Sequence, residues 1–125
     1  MGRRILIVDD EECIVFAMRR YFQLRGFEVD SACELEEAQA LVANVAYAIV
    51  IADLRLTGVH GAEGLELLAY VRERCPWTRT MLLTAYGSLD LEVAGRERGV
   101  DLVMRKPCPL PEVAQAVMSL LSEEA

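Results

Sequence analysis

Six residues of this sequence stand at or just beyond the ends of short apolar runs. Asp9 and Asp10 follow Arg4–Val8, Asp53 follows the run that closes at Ala52, Thr84 and Ala85 follow Thr80–Leu83, and Lys106 comes just after Leu102–Met104. Three carboxylates held close together repel one another unless a cation sits among them. A donor set of oxygens, with no Cys or His, selects a hard ion, and Mg²⁺ is the abundant one. A carboxylate is also a nucleophile that can attack phosphorus and give an aspartyl phosphate. That attack brings negative charge onto negative charge, so a metal ion and a Lys ammonium are needed to neutralise it. A hydroxyl and a backbone N–H can hold the remaining phosphoryl oxygen. Each residue alone means little, since an Asp after a strand is commonly only a helix cap. The signal is their joint placement.

The elements that would position them alternate along the chain. Arg4–Val8 reads as a buried strand. Glu11–Leu24 reads as a helix with Ile14, Ala17, Met18, Tyr21 and Leu24 on one face, ended by Gly26. Phe27–Ala32 reads as a second strand and Leu35–Val42 as a helix with Leu35, Ala38, Leu41 and Val42 inward. Ala46–Ala52 is an apolar run whose Ile49-Val50-Ile51 has the β-branched density of a central strand. Thr57–Gly64, rich in glycine, reads as a loop and Leu65–Arg74 as a helix stopped by Pro76. Thr80–Leu83 reads as a fourth strand and Leu89–Glu97 as a weaker fourth helix closed by Gly99. Leu102–Met104 is a short fifth strand. Leu110–Leu121 is the last helix, with Pro111 in its first turn, where a missing N–H is harmless. Five alternations of strand and helix imply βαβ units, a parallel sheet and helices on both faces. In such sheets ligands bind beyond the carboxyl ends of the strands, where the six residues fall.

Composition narrows the function classes. A chain of 125 residues, 54% of them hydrophobic, fits one domain and buries about two-thirds of its unfolded surface without disulfide or metal staples. No run approaches the roughly 20 apolar residues of a membrane span. The short apolar run after Arg3-Arg4 ends in Asp9-Asp10 and is no signal peptide. A soluble, cytoplasmic domain is the expectation. The net charge of −7, with basic residues dispersed among acids, argues against a nucleic-acid surface. Cys13, Cys33, Cys75 and Cys108 are scattered without a C-x-x-C pair, which predicts reduced, mostly buried thiols. His60, the single histidine, lies between glycines as a loop residue.

The motifs Val8-Asp9-Asp10-Glu11, Ala52-Asp53-Leu54-Arg55-Leu56, Leu83-Thr84-Ala85 and Arg105-Lys106-Pro107, in this order and spacing, resemble the receiver domain of two-component response regulators. The resemblance covers nearly the whole chain. It implies a flavodoxin-like, doubly wound fold, a five-stranded parallel sheet of order 2-1-3-4-5 flanked by five helices, with residues 1–125 forming one receiver domain. It implies Asp53 as phosphoacceptor, Asp10 and Asp53 as direct Mg²⁺ ligands, Asp9 acting through water, and the carbonyl of Arg55 as the third protein ligand. It implies Lys106 as the phosphoryl's ion-pair partner, Thr84 as the hydroxyl that turns toward it, Ala85 as the small residue whose N–H binds it, and Pro107 after a cis peptide, as in many relatives. The partner would be a sensor histidine kinase or phosphotransfer protein bearing phosphohistidine. A C-terminal effector domain outside this chain and a homodimer through the face of the fourth helix, fifth strand and fifth helix are further implications.

Four departures stand out. Thr57 replaces the usual proline, the loop Gly58–Gly64 is about three residues longer than the common form, Cys108 replaces phenylalanine, and Val103 stands where the fifth strand usually carries Tyr or Phe. Three other readings differ from the receiver in testable ways. A haloacid dehalogenase-type phosphatase needs an Asp two positions after the nucleophile, where this chain has Arg55, a residue that cannot give up its proton. A flavin or nucleotide binder cradles phosphate after the first strand, where Asp9-Asp10-Glu11-Glu12 would repel it. A receiver-like interaction module that is never phosphorylated differs only in failing to take up Mg²⁺ and phosphoryl groups.

Overall fold

A computed structural model of the chain describes residues 3–9, 11–53, 63–84, 97, 99–105 and 109–122. The elements are β1 (Arg4–Val8), α1 (Glu12–Gln23), β2 (Glu28–Ala32), α2 (Leu35–Asn44), β3 (Ile49–Asp53), α3 (Glu63–Arg74), β4 (Arg79–Thr84), β5 (Leu102–Arg105) and α4 (Leu110–Ser122). All strands are parallel, in the order β2-β1-β3-β4-β5. The expected sheet is therefore present. Four of the five expected helices lie among the described residues, while residues 89–96 of the remaining one, and the loop over 54–62, lie outside them.

The apolar runs that suggested buried strands are buried on both faces, as parallel strands require. Leu6, Val8, Val50, Ala52 and Leu82 pack with Ala38 and Val42 of α2 and with Leu67, Leu68 and Val71 of α3. Their neighbours along the strands, Ile5, Ile7, Ile49, Ile51, Met81 and Leu83, pack with Val15, Met18 and Phe22 of α1 and with Val113, Val117 and Leu121 of α4. Each such side chain larger than alanine, removed from water, contributes about 1.5–3 kcal/mol. This double core holds the central strands rigidly, and with them the edge where they end.

Several expectations are corrected. The inward stripe of α1 is Val15, Met18 and Phe22, whereas Ala17 lies at the surface and Leu24 is 74% exposed. So many α1 positions are apolar that two stripes fit the helical period, and the sheet selects the one carrying Phe22, which is fully buried. Gly64 belongs to α3, which starts at Glu63, so helix replaces the end of the expected loop. The thiols are less buried than predicted: Cys13, on the outer side of α1's first turn, and Cys33, just past edge strand β2, are exposed, and Cys75 is half-buried. All three are free. Gly26 has φ +92 and no atom near a would-be Cβ, so its role in ending α1 is conformational. Among the described residues no helix is long and apolar enough to cross a membrane.

Candidate functional site

Strand register determines which residues share the carboxyl edge of the sheet. Val8 pairs with Ala52, so Asp9 and Asp53, the next residues, come level on neighbouring strands. Asp53 pairs in turn with Leu83, and Thr84 pairs with Arg105, the residue before Lys106. Asp53 and Thr84 are the last residues of β3 and β4, rather than the first residues beyond them. Their backbones are thus fixed by the ladder itself. Parallel strands lie about 4.8 Å apart, so the ends of β1, β3, β4 and β5 span a strip narrow enough for a small ion and one phosphoryl group. Asp10, Arg55, Ala85, Lys106 and Pro107 fall outside the described residues, as do Thr57 and Cys108.

Asp9 is the site residue whose surroundings are described most fully. It is only 2% exposed. Its N–H donates to the carbonyl of Ala32 at 3.1 Å, which ties the end of β1 to the end of β2. Its Oδ1 accepts the N–H of Glu11 at 2.9 Å. Glu11 is the N-cap of α1 and makes no side-chain cap of its own, so the carboxylate of Asp9 does part of the capping from two residues earlier. A charge so far removed from water is costly unless hydrogen bonds or an opposite charge compensate it. An acidic residue at a helix N-terminus is favoured by the helix dipole, and Glu12 in the first turn adds a further acid there. The β1–α1 turn is accordingly a place of concentrated negative charge on a rigid support. It suits a hard divalent cation, and the oxygen-only donor types of Asp9, Asp10, Asp53 and the Arg55 carbonyl fit Mg²⁺.

At the fifth strand, Val103 is half-buried and packs against the core on the α2–α3 side. Two polar groupings at the opposite, amino edge of the sheet were not anticipated. Tyr47 donates its hydroxyl to Asp30 at 2.8 Å, and burial, followed by that partner, pushes its pKa well above the ordinary tyrosine value. Thr80, fully buried, is bound to Asp101 by several hydrogen bonds. The one sequence signal for the second grouping is an Asp directly ahead of one strand and a Thr near the start of another.

Comparison with known proteins follows the same lines as the geometry. The family model of the response regulator receiver domain matches residues 5–118. The photosynthetic apparatus regulatory protein RegA of Rhodobacter capsulatus is 32% identical over 117 residues, covering 94% of this chain and 62% of RegA. The chain spans less than two-thirds of the length of such curated relatives. A response regulator receiver domain protein (CheY-like) from Methanospirillum hungatei superposes with a TM-score of 0.90 at 27% identity, covering 98% of this chain and 96% of that one. A response regulator protein from Burkholderia pseudomallei, whose crystal structure has a phosphorylated aspartic acid, a calcium ion and citrate, superposes with a TM-score of 0.84 at 26% identity, covering 99% of this chain and 74% of that one.

Proposed function

This chain belongs to the response regulator receiver domain family and is a signalling domain of two-component systems, and from that premise we propose that Asp53 is its phosphoacceptor. In this reading residues 1–125 act as one receiver unit. Asp10, Asp53 and the carbonyl of Arg55 hold Mg²⁺ directly, and Asp9 holds it through water. Lys106, the Thr84 hydroxyl and the Ala85 N–H receive the phosphoryl oxygens. What supports the assignment is the register that brings the ends of β1, β3, β4 and β5 to one edge of the sheet, within two residues of one another.

The chemistry balances simply. A carboxylate oxygen of Asp53 bonds to phosphorus as the bond from phosphorus to a histidine nitrogen of a partner kinase or phosphotransfer protein breaks. The electron pair stays on that nitrogen, which then takes up a proton. When bound, Mg²⁺ supplies the charge neutralisation that lets two anions approach. Lys106 supplies the rest, and the rigid ends of β3 and β4 keep the acceptor and the Thr84 backbone in place. Reversal to the resting state is attack of water on phosphorus, with release of phosphate and return of the Asp53 carboxylate. In this sense the domain assists its own phosphorylation and dephosphorylation.

The extra length of the curated relatives supports an effector domain beyond this sequence, and a cytoplasmic setting goes with the partner kinase. The net charge of −7 leaves any nucleic-acid contact to such an effector. A homodimer would use the face of β5, α4 and the segment 89–97. The test is a Mg²⁺ titration followed by exposure to acetyl phosphate, read by intact-protein mass. Binding and uptake of one phosphoryl group are expected. Failure of both would leave a receiver-like interaction module instead.

A further inference from the structure

The lysine that follows β5 in sequence is useful only if β5 sits in the right register, and β5 is poorly equipped to find that register through apolar packing. It has four residues, Leu102–Arg105, and none is fully buried. Leu102 and Met104 pack partly toward one core layer and Val103 toward the other. That alternation resists a slip of one residue, which would exchange the faces. It does not resist a slip of two, which restores the faces and displaces the strand by about 6.6 Å.

A polar clasp just below β5 supplies the missing specification. The carboxylate of Asp101 accepts the backbone N–H of Thr80 at 2.8 Å and its hydroxyl at 3.2 Å. The N–H of Asp101 lies 3.1 Å from the Thr80 carbonyl and 3.0 Å from the Thr80 hydroxyl. Arg79 pairs with the other oxygen of Asp101 at 3.5 Å. Thr80 is fully buried in β4 and the Asp101 side chain is only 16% exposed. A displaced register would leave the Thr80 N–H and hydroxyl without these bonds in the interior, a heavy penalty. Gly99, with φ +85, makes the turn that delivers Val100 to the core and Asp101 to Thr80.

From Asp101 the ladder runs without interruption: Leu102 with Met81, Val103 with Leu82, Met104 with Leu83 and Arg105 with Thr84. We infer that the Asp101–Thr80 clasp is a positioning device for the phosphoryl site: it fixes the register of β5, and through it the position of Arg105, the residue before Lys106 in sequence, at the edge of the sheet that carries Asp53. The inference rests on the role proposed above for Lys106. The proposed metal ligands follow β1 and end or follow β3 in sequence, and none belongs to β5, so the clasp bears on phosphoryl transfer and not on Mg²⁺ affinity.

The test compares Asp101→Ala, Asp101→Asn, Thr80→Val and Lys106→Met with the unaltered chain. Three quantities are read: Mg²⁺ affinity, the rate of labelling by acetyl phosphate, and the nuclear Overhauser contacts between β4 and β5. In Asp101→Ala the labelling rate should fall about ten- to a hundredfold, Mg²⁺ affinity should stay within about twofold, and the β4–β5 contacts should weaken or shift. Asp101→Asn keeps an acceptor for the Thr80 N–H and should recover most of the rate. If Asp101→Ala does not fold, Thr80→Val, which removes the hydroxyl from the clasp, carries the comparison with Asp101→Asn. Labelling at the unaltered rate, or equal loss of Mg²⁺ affinity and rate, would overturn the inference. Undiminished labelling of Lys106→Met would instead remove the role of the lysine, leaving the contact pattern to judge the clasp by itself.

Discussion

Val8 and Ala52 are register partners on adjacent parallel strands, and the residue after each is an aspartate. Asp9 and Asp53 therefore share a level, with Asp10 next in sequence, and their like charges call for a cation. Replacing Asp9 by Ala should weaken Mg²⁺ about ten- to a hundredfold, the range for a group that acts through another. Replacing Asp10 by Ala should weaken it more. Asp9→Ala should also cost about 1 kcal/mol of stability, because the N–H of Glu11 loses its acceptor. Calorimetric titration and denaturant melts check both effects, and a reversed order of affinities would mean that the two aspartates have exchanged roles.

At the opposite edge, Tyr47 and Asp30 predict an alkaline weakness. The pKa of Tyr47 is raised by burial first and by the carboxylate of Asp30 next. A group whose pKa is raised in the folded state adds stability that is complete below its unfolded value, about 10 for tyrosine. That contribution is lost as pH climbs above it. Tyr47→Phe should cost about 1 kcal/mol near neutral pH, since Asp30 keeps Arg4 at 3.6 Å. It should also flatten the fall of Tm above about pH 10. Parallel alkaline falls in the two proteins would contradict the assignment.

Beyond Lys106 the chain has no Lys or Arg, and α4 and the residues after it carry only Glu112, Glu123 and Glu124 as charges. A reciprocal ion-pair lattice across a dimer face that includes α4 is therefore not expected. Self-association there should be mainly apolar, with basic residues only from Arg96, Arg98 and Arg105. Sedimentation equilibrium at low and high salt should give nearly the same association constant. A dimer that dissociates strongly in salt would refute this.

Val103 predicts an unusual switch. A β-branched side chain already packed against the core has little room to swing. When the domain is phosphorylated, Tyr86 and residues 87–93 should change environment while Val103 keeps its rotamer. NMR spectra of free and beryllofluoride-bound protein would decide, since large shifts at Val103 with Tyr86 unmoved would show the opposite.

Much of this was legible in the sequence because it is local. The β-branched run Ile49-Val50-Ile51 announces a central strand, and strand ends announce a site. The face of α1 was legible in part: Ile14, Met18 and Tyr21 do pack toward the core, but Val15 and Phe22 stand there in place of Ala17 and Leu24, since the apolar positions of the helix satisfy more than one stripe and only packing on the sheet selects among them. The bonds of Asp101 to Thr80 and of Tyr47 to Asp30 join residues 21 and 17 positions apart. Local propensity carries no trace of such pairs. The segments 54–62 and 85–96 lie outside the described residues.

The most direct measurement is labelling of Asp53→Asn beside the unaltered chain, in Mg²⁺ with acetyl phosphate, by intact mass and peptide mapping. The substitution is nearly isosteric, so circular dichroism and Tm should be close to unchanged. The unaltered chain should gain one base-labile phosphoryl group on Asp53, and the variant should gain none. Undiminished labelling of the variant would contradict the account.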